Sequence, residues 1–179
     1  MTAKKRKKIC LIDGNNYIYR AFHAIRALSN SKGFPTNAAF GFTTMLLRVL
    51  RDEKPDFAAV AFDSKGPTTR HEIYPEYKAT RPPMPEDLVP QVPLIHDLVR
   101  AFRITVLEKE GVEADDLLAT AARQAEEEGM DAVIVSGDKD LLQLVGSRVK
   151  VLDTMKDVLY DADAVKERFG VEPGQYGDV

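Results

Sequence analysis

The amino-acid sequence predicts an α/β fold in which a central, mostly parallel sheet of about five strands is flanked by helices. Three apolar runs, 9–12, 57–62 and 133–135, are continuous rather than alternating, which is typical of parallel strands buried on both faces. Acidic residues follow each run, and helical segments separate the runs along the chain. Since parallel strands end at one edge, where ligands bind in open α/β sheets, we expect the functional site at that edge.

The first half of the chain contains two predicted helices. Aromatic and apolar residues at helical spacing cover 15–28, and a turn-rich loop follows at 29–35. A second helix starts with Thr36 or Asn37 as its cap and ends near Lys54, just before a proline. The second strand comes next.

Residues 64–90 form the least regular part of the sequence. A segment of this length is too long for a simple connection in a compact domain, and such segments are usually functional lids or disordered linkers. Basic and aromatic residues interleave in it, as a contact surface for single-stranded nucleic acid requires, although a solvated loop is an equal alternative. These residues are Arg70, Tyr74, Tyr77, Lys78 and Arg81.

The second half of the chain alternates between helices and strands. Its first predicted elements are a helix over 86–102, a strand over 104–107, and an acidic helix that starts at 113–116 and closes at Gly129. The 133–135 strand follows, with a short helix after it, and then a strand over 148–152 and a short candidate strand over 157–160. The chain continues with a helix over 163–169 that ends at Gly170 and with the start of another helix within 171–179. A glycine after a helix supplies the left-handed conformation that ends it.

Composition indicates an ordinary globular protein. A chain of 179 residues can form one domain with a substantial core, and no apolar run is long enough to span a bilayer. The basic run at 4–8 lacks the long apolar stretch of a signal peptide, so we expect a cytoplasmic protein. Cys10 is interpreted as a small buried hydrophobe, and His23, His71 and His96 are too far apart in the sequence to indicate zinc.

Seven acidic residues are predicted to share the carboxyl edge of the sheet. An aspartate after a strand is more often a turn former or a cap, and acids at a helix start often serve the helix dipole. Four such groups on one predicted edge favour a common role over coincidence. The residues are Asp13, Asp63, Glu113, Asp115, Asp116, Asp138 and Asp140.

This acidic edge indicates a site for divalent metal. Carboxylates crowded into one cleft raise one another's pKa unless cations lie among them. Oxygen ligands without cysteine or histidine select hard ions, so we expect Mg²⁺ or Mn²⁺, and a pair of such ions can promote hydrolysis of a phosphodiester. The net charge of −3 does not exclude a polyanionic substrate, because the rest of the chain is positive once these acids are set aside.

Six motifs in the sequence carry a resemblance to a known family. They are Asp13-Gly14-Asn15 and the segments 19–24, 61–63, 77–85, 111–116 and 136–140. In order, and over nearly the whole chain, they resemble the 5′ nuclease domain of bacterial DNA polymerase I. They are more distantly similar to flap endonucleases and other PIN-like nucleases.

The resemblance implies a PIN-like three-layer sandwich that removes 5′ flaps and RNA primers with two divalent ions, on DNA that carries a 5′ flap or a nick. It makes the seven acids metal-site carboxylates and segment 64–90 an arch or gateway for the 5′ end. It also makes Arg20, Lys78 and Arg81 phosphate contacts, with Lys78 stabilising charge at the scissile phosphate. Tyr77 becomes a stacking residue, and Arg70 is assigned to nucleic-acid binding with the other basic residues of the segment.

The sequence departs from the family pattern at its end. The family's helix-hairpin-helix element and a further aspartate pair would follow the last residue printed here, so we expect an N-terminal piece of a longer protein, in which a polymerase domain could follow. We expect a monomer.

Two other functions stay open. One is a non-catalytic, metal-dependent DNA-binding module, which the missing ligands of the family pattern allow. The other is a phosphatase or receiver domain of the haloacid-dehalogenase or response-regulator type. The second is disfavoured because Gly14-Asn15, rather than a second acid two residues on, follows Asp13.

Overall fold

A six-stranded sheet forms the centre of the protein in the computed structural model, which describes residues 6–64, 66 and 82–178. Its strands are β1 (Lys8–Asp13), β2 (Phe57–Ala61), β3 (Thr105–Leu107), β4 (Asp131–Val135), β5 (Val149–Asp153) and β6 (Val158–Tyr160). Their order is β3-β2-β1-β4-β5-β6, and all neighbours are parallel except β5 and β6. The predicted mostly parallel sheet is confirmed, and the short candidate strand near 157–160 adds an antiparallel edge to the five strands expected.

Five α-helices and two 3₁₀ helices complete the described fold. The helices are α1 (Gly14–Ala24), α2 (Asn37–Glu53), α3 (Gln91–Ala101), α4 (Ala114–Glu127) and α5 (Ala162–Phe169), with 3₁₀ helices at Lys139–Leu144 and Pro173–Asp178. Gly129 and Gly170, which follow α4 and α5, both have a φ of 76°, the left-handed conformation that the sequence predicts at these helix ends.

The helices cover both faces of the sheet and make a three-layer sandwich. Helices α1, α2 and α3 pack on one face, against inward side chains such as Cys10 and Ile12. Helices α4 and α5 pack on the other face, which Leu11 and Ile134 line. The alternation of Cys10, Leu11 and Ile12 along β1 explains why its sequence is apolar throughout: each of its two faces is buried under a helical layer.

Two predicted helices are too long at one end. The helix expected over 15–28 stops at Ala24, and the one expected over 86–102 starts at Gln91. Residues 86–90 form turns instead, in which the N–H groups of Leu88 and Val89 donate to the carbonyl of Pro85. Pro90 lacks an N–H group and stands directly before the helix, a position that proline tolerates.

The predicted arch segment, 64–90, is described only in part. Residues 65 and 67–81 lie outside the described residues. The residues of this segment that are predicted to bind nucleic acid, Arg70, Tyr77, Lys78 and Arg81, are among them. Residues 82–90 run without a helix into α3. None of the helices in the described ranges is long and apolar enough to cross a membrane.

Candidate active site

A cavity of about 1250 Å³ opens at the carboxyl edge of the parallel strands. It is lined by four of the predicted carboxylates, which come from separate parts of the chain. They are Asp13 at the end of β1, Asp63 after β2, Asp115 at the start of α4 and Asp138 after β4. The sheet brings Asp13, Asp63 and Asp138 together because β1 lies between β2 and β4.

Asp13 is the most buried of these four side chains, with the residue 5% exposed. One carboxylate oxygen accepts the N–H of Asn16 at 3.0 Å and thereby caps α1, and the other accepts the hydroxyl of Ser136 at 2.7 Å. Burial nevertheless raises the pKa of Asp13, and the negative charges of Asp138 and Asp63 add to the rise. A cation in the cavity would therefore stabilise the ionised form of this group.

Asp63 connects three elements at the edge of the cavity. Its Oδ1 accepts the N–H of Ala114, the first residue of α4, at 2.7 Å, and its Oδ2 accepts the side-chain amide of Asn15 at 2.5 Å. The backbone N–H of Asp63 also donates to Asn15 Oδ1 at 3.4 Å. Asn15 belongs to the motif Asp13-Gly14-Asn15, from which no role for its side chain is predicted, and in the structure it orients Asp63.

Ser136 links Asp13 to Asp138. It is 1% exposed, and its hydroxyl oxygen accepts the N–H of Asp138 at 3.0 Å while the hydroxyl donates to Asp13. Asp138 Oδ1 accepts the N–H of Asp140 at 2.9 Å, which caps the short helix after β4. On the same loop, the N–H of Gly137 donates to Asn16 Oδ1 at 3.3 Å, so α1 and this loop are held together.

Three of the predicted carboxylates do not line the cavity. Glu113 is buried directly before α4, and Asp116 and Asp140 are exposed. Among the residues that the structure describes, no three His, Cys, Asp or Glu side chains are close enough together to hold a metal ion. The structure thus brings four of the seven acids to one cavity, and the metal-binding role of all seven stays a prediction. The all-oxygen donor set fits a hard divalent cation.

Arg20 brings positive charge to the same cavity. Its guanidinium lies 5.3 Å from the centre of the Tyr17 ring, and Nη2 donates to Thr154 Oγ1 at 3.2 Å. Its Nε and Nη1 are buried and have no hydrogen-bond partner within the described part of the chain. The other predicted basic and stacking residues, Arg70, Tyr77, Lys78 and Arg81, lie outside the described residues.

His96 forms part of the cavity wall, although the sequence gives it no role. Its ring stacks on Phe62 with the ring centres 3.9 Å apart, and its Nδ1 lies 3.7 Å from a carboxylate oxygen of Glu108. Phe62 directly precedes Asp63. No sequence spacing signals a contact between positions 62 and 96, because the tertiary packing of α3 on the sheet creates it.

The layers, the strand order and the acidic edge define the fold of the PIN-like flap nucleases. The T5 D15 protein, crystallised with metal ions, superposes with a TM-score of 0.78 at 20% identity, over 95% of this chain and 64% of that one. The catalytic core of Rad2, solved with a DNA substrate, gives a TM-score of 0.56 at 18% identity, over 95% of this chain and 52% of that one. At these identities the likeness concerns the fold.

Sequence comparison gives the family. Residues 8–170 match the model of the 5′-3′ exonuclease N-terminal resolvase-like domain, and the chain belongs to this family. The 5′-3′ exonuclease of Aquifex aeolicus is 41% identical over 96% of this chain and 60% of its own length. DNA polymerase I of Bacillus subtilis is 43% identical over 98% of this chain. The chain spans about a fifth of the length of the DNA polymerase I relatives. The resemblance inferred from the six motifs is confirmed.

Proposed function

We propose that this protein is a divalent-metal-dependent 5′-3′ exonuclease and 5′ flap endonuclease that hydrolyses phosphodiester bonds of DNA or of RNA primers. One observation carries the proposal. In a chain that belongs to the 5′-3′ exonuclease family, four of the predicted carboxylates, which come from separate segments, line one cavity together with Arg20. Acids that would hold cations, beside a cationic side chain that would hold phosphate, are the groups that this hydrolysis needs.

Mg²⁺ or Mn²⁺ is the proposed cofactor, with two ions in the complete family site. Asp13, Asp63, Asp115 and Asp138, which line the cavity without forming a three-ligand cluster among the described side chains, are the residues from which the ligands of an ion would come. When bound, the metal would lower the pKa of a water molecule and stabilise charge on the phosphodiester oxygens. The raised pKa of Asp13 supports the fit, because a buried carboxyl group surrounded by other acids is stabilised as an anion by a nearby cation.

The neighbours of these acids fix their orientation before any substrate arrives. Asn15 and the N–H of Ala114 hold Asp63, while Ser136 and the N–H of Asn16 hold Asp13. Such preorganisation matters because hydrogen-bond donors and charges that are already oriented need no reorganisation during the reaction. Arg20 lines the cavity and has two buried donors without a partner among the described residues, and it would bind a phosphate of the nucleic-acid backbone.

The proposed substrates are DNA with a 5′ flap or a nick, and RNA primers. The family membership and the positive charge of Arg20 in an acidic cavity support a nucleic-acid partner. The high identity to proteins named DNA polymerase I supports a setting in replication and repair, with a polymerase domain in the same parent protein. We further propose that the protein acts as a monomer in the cytoplasm.

The second candidate is a DNA-binding module that has no catalytic activity. The observation that favours it is that no three metal-binding side chains form a cluster among the described residues. The name of the Aquifex aeolicus relative, 5′-3′ exonuclease, and the family match favour the nuclease instead.

A cleavage assay decides between the two candidates. We would incubate a 5′-labelled flap duplex with the full-length protein and Mg²⁺, with and without a chelator. The Asp13→Asn variant should lose at least about a hundredfold in rate, as expected when metal-assisted stabilisation is removed. Asp163→Asn, an exposed aspartate in the first turn of α5, is the matched control and should cleave normally. Equal product from wild type and Asp13→Asn would refute the nuclease, and tight binding without cleavage would establish the binding module.

A further inference from the structure

Thr154, at the tip of the β5–β6 hairpin, contacts the candidate active site through one hydroxyl group. Its Oγ1 accepts a hydrogen bond from Arg20 Nη2 at 3.2 Å and lies 3.0 Å from the hydroxyl of Tyr17. Tyr17 and Arg20 both lie on α1, and Thr154 is more than 130 positions away from each of them in the sequence. The next residue of the hairpin, Met155, lines the same cavity.

The chemistry of these groups fixes the direction of one bond. A guanidinium can only donate, so the Thr154 oxygen must accept from Arg20. A hydroxyl oxygen has two lone pairs and one proton, so Thr154 can in addition either accept from Tyr17 or donate to it. Tyr17 is fully buried and packs edge-on against Phe42, which makes it a rigid anchor. Arg20 is therefore held from the hairpin through Thr154 and supported by the Tyr17 ring.

The rest of the guanidinium has no hydrogen-bond partner within the described ranges, 6–64, 66 and 82–178. Nε and Nη1 of Arg20 are buried without an acceptor among the described residues, an arrangement that costs free energy unless a ligand supplies the acceptor. Gly137 lies beside this part of the guanidinium, since a Cβ on it would lie 3.9 Å from Nη1. An anionic oxygen would be a suitable acceptor for these donors, and Arg20 lines the cavity together with Asp13 and Asp138.

The hairpin does not need the Thr154 side chain for its own turn. Asp153 already holds that turn: its carboxylate accepts the N–H groups of Met155 and Lys156 at 2.9 and 3.4 Å and the Lys156 ammonium at 2.7 Å. The Thr154 hydroxyl instead makes its two hydrogen bonds with described residues to side chains of α1. Its contacts are thus with the site rather than with the turn.

We propose that Thr154 is a positioning residue, which holds the Arg20 guanidinium in the orientation that binds a phosphate oxygen of the nucleic-acid substrate. The proposal rests on the proposed nuclease function for the identity of the ligand. The orientation of Arg20 by Thr154 can be measured independently of that function.

The first test uses single-turnover cleavage of a 5′ flap duplex by the full-length protein. Thr154→Val keeps the shape of the side chain but removes the acceptor, and we expect a rate loss of roughly tenfold, the effect of one hydrogen bond to a charged group. Thr154→Ser keeps the hydroxyl and should recover most of that loss. Thr44→Val is the matched control, because it removes an exposed threonine hydroxyl bonded to the Phe40 carbonyl on α2, outside the site.

A double-mutant cycle with Arg20→Ala separates positioning from general damage. If Thr154 acts through Arg20, Thr154→Val should have no further effect in the Arg20→Ala background. A wild-type rate for Thr154→Val, or the same fold loss in both backgrounds, would overturn the proposal. If Thr154→Val lowers the melting temperature, the cleavage rates of Thr154→Ala and Thr154→Ser are compared instead, in the wild-type and Arg20→Ala backgrounds. Equal rates for these two variants would overturn the proposal in the same way.

An NMR measurement on the Arg20 guanidinium keeps the two proposals distinguishable. In the wild type, rotation about the Cζ–Nη2 bond should be slow, and in Thr154→Val it should be faster, whether or not the protein cleaves DNA. Unchanged rotation would refute the positioning role even if the nuclease is active. Absence of cleavage by the wild type would refute the proposed function and leave the NMR result to decide the role of Thr154.

Discussion

Gln91 and Asn37 are joined by a buried hydrogen bond of 2.9 Å, from the amide Nε2 of Gln91 to Oδ1 of Asn37, across 54 positions of the chain. Gln91 is fully buried, and its Oε1 accepts the N–H groups of Ala38 and Ala39 at 2.8 and 3.1 Å. These are N–H groups at the start of α2, where Thr36 makes no side-chain cap. Helix α3 thus supplies the N-terminal cap of α2.

Replacing Gln91 by leucine should lower the free energy of unfolding by about 3 kcal/mol. The change removes the cap of α2 and leaves buried N–H groups and the Asn37 amide oxygen without partners. Urea denaturation measures this loss. Gln124→Leu, the same chemical change at an exposed position of α4, should shift stability by less than about 0.5 kcal/mol. Equal stability of wild type and Gln91→Leu would contradict the capping role.

Gly14 is required by the close approach of Phe62. A Cβ on Gly14 would lie 2.4 and 2.5 Å from two ring carbons of Phe62 and 2.7 Å from the carbonyl oxygen of Ala61. Gly14→Ala should therefore lower the free energy of unfolding by about 2 kcal/mol through overpacking. It should also slow cleavage, because Asp13 is next to Gly14 in the chain and Asp63 is next to Phe62. Thermal unfolding and the flap assay check both effects. Gly174→Ala, where nothing lies within 4 Å of the added Cβ, is the control and should be near neutral.

Asp63 should contribute to folding as well as to activity. Asp63→Ala removes the acceptor of the Ala114 N–H at the start of α4 and the partner of the Asn15 amide, and should lower the free energy of unfolding by about 1–2 kcal/mol. Asp116→Ala, on the exposed side of the same helix, should cost much less stability. Chemical denaturation of both variants in the presence of a chelator measures the structural part alone. A similar loss for the two would show that the Asp63 contacts do not stabilise the fold.

The sequence predicts this edge of the sheet well because the signals are local. A continuous apolar run that ends in an acid identifies β1, β2 and β4, and their parallel arrangement follows from their burial on both faces. The glycines at positions 129 and 170 mark helix ends through their own backbone conformation. Asp13, Asp63 and Asp138 are found in the same way, since each lies at the end of its strand or within three residues after it.

The features that the sequence does not predict depend on contacts between residues far apart in the chain. Three contacts illustrate this: Gln91 at the start of α3 accepts the N–H of Ala39, His96 stacks on Phe62, and Arg20 donates to Thr154. Each contact joins positions far apart in the sequence, so no periodic pattern reveals it. Position after a strand or at a helix start also does not say where a side chain points. Asp116 and Asp140 share the predicted edge but are exposed outside the cavity.

Asp153 gives the fold a dependence on pH that can be predicted in sign. The residue is 3% exposed, and burial alone would raise its pKa. The hydrogen bonds from the Lys156 ammonium and from the N–H groups of Met155 and Lys156 outweigh burial and hold the pKa below its usual 3.8. Because the folded state binds this proton less tightly than the unfolded state, Asp153 stabilises the fold fully above pH 3.8, and this contribution is lost as the pH falls through the lowered pKa.

The Asp153→Asn variant should therefore be less stable than wild type by about 1 kcal/mol near neutral pH, and the difference should shrink as the pH drops below 3.8. Urea denaturation at a series of pH values measures the difference. Lys156→Met removes the ammonium partner, so the pKa of Asp153 should rise and the pH dependence should weaken. A stability difference between wild type and Asp153→Asn that stays constant from neutral pH down to acid would show that the ionised carboxylate does not stabilise the hairpin.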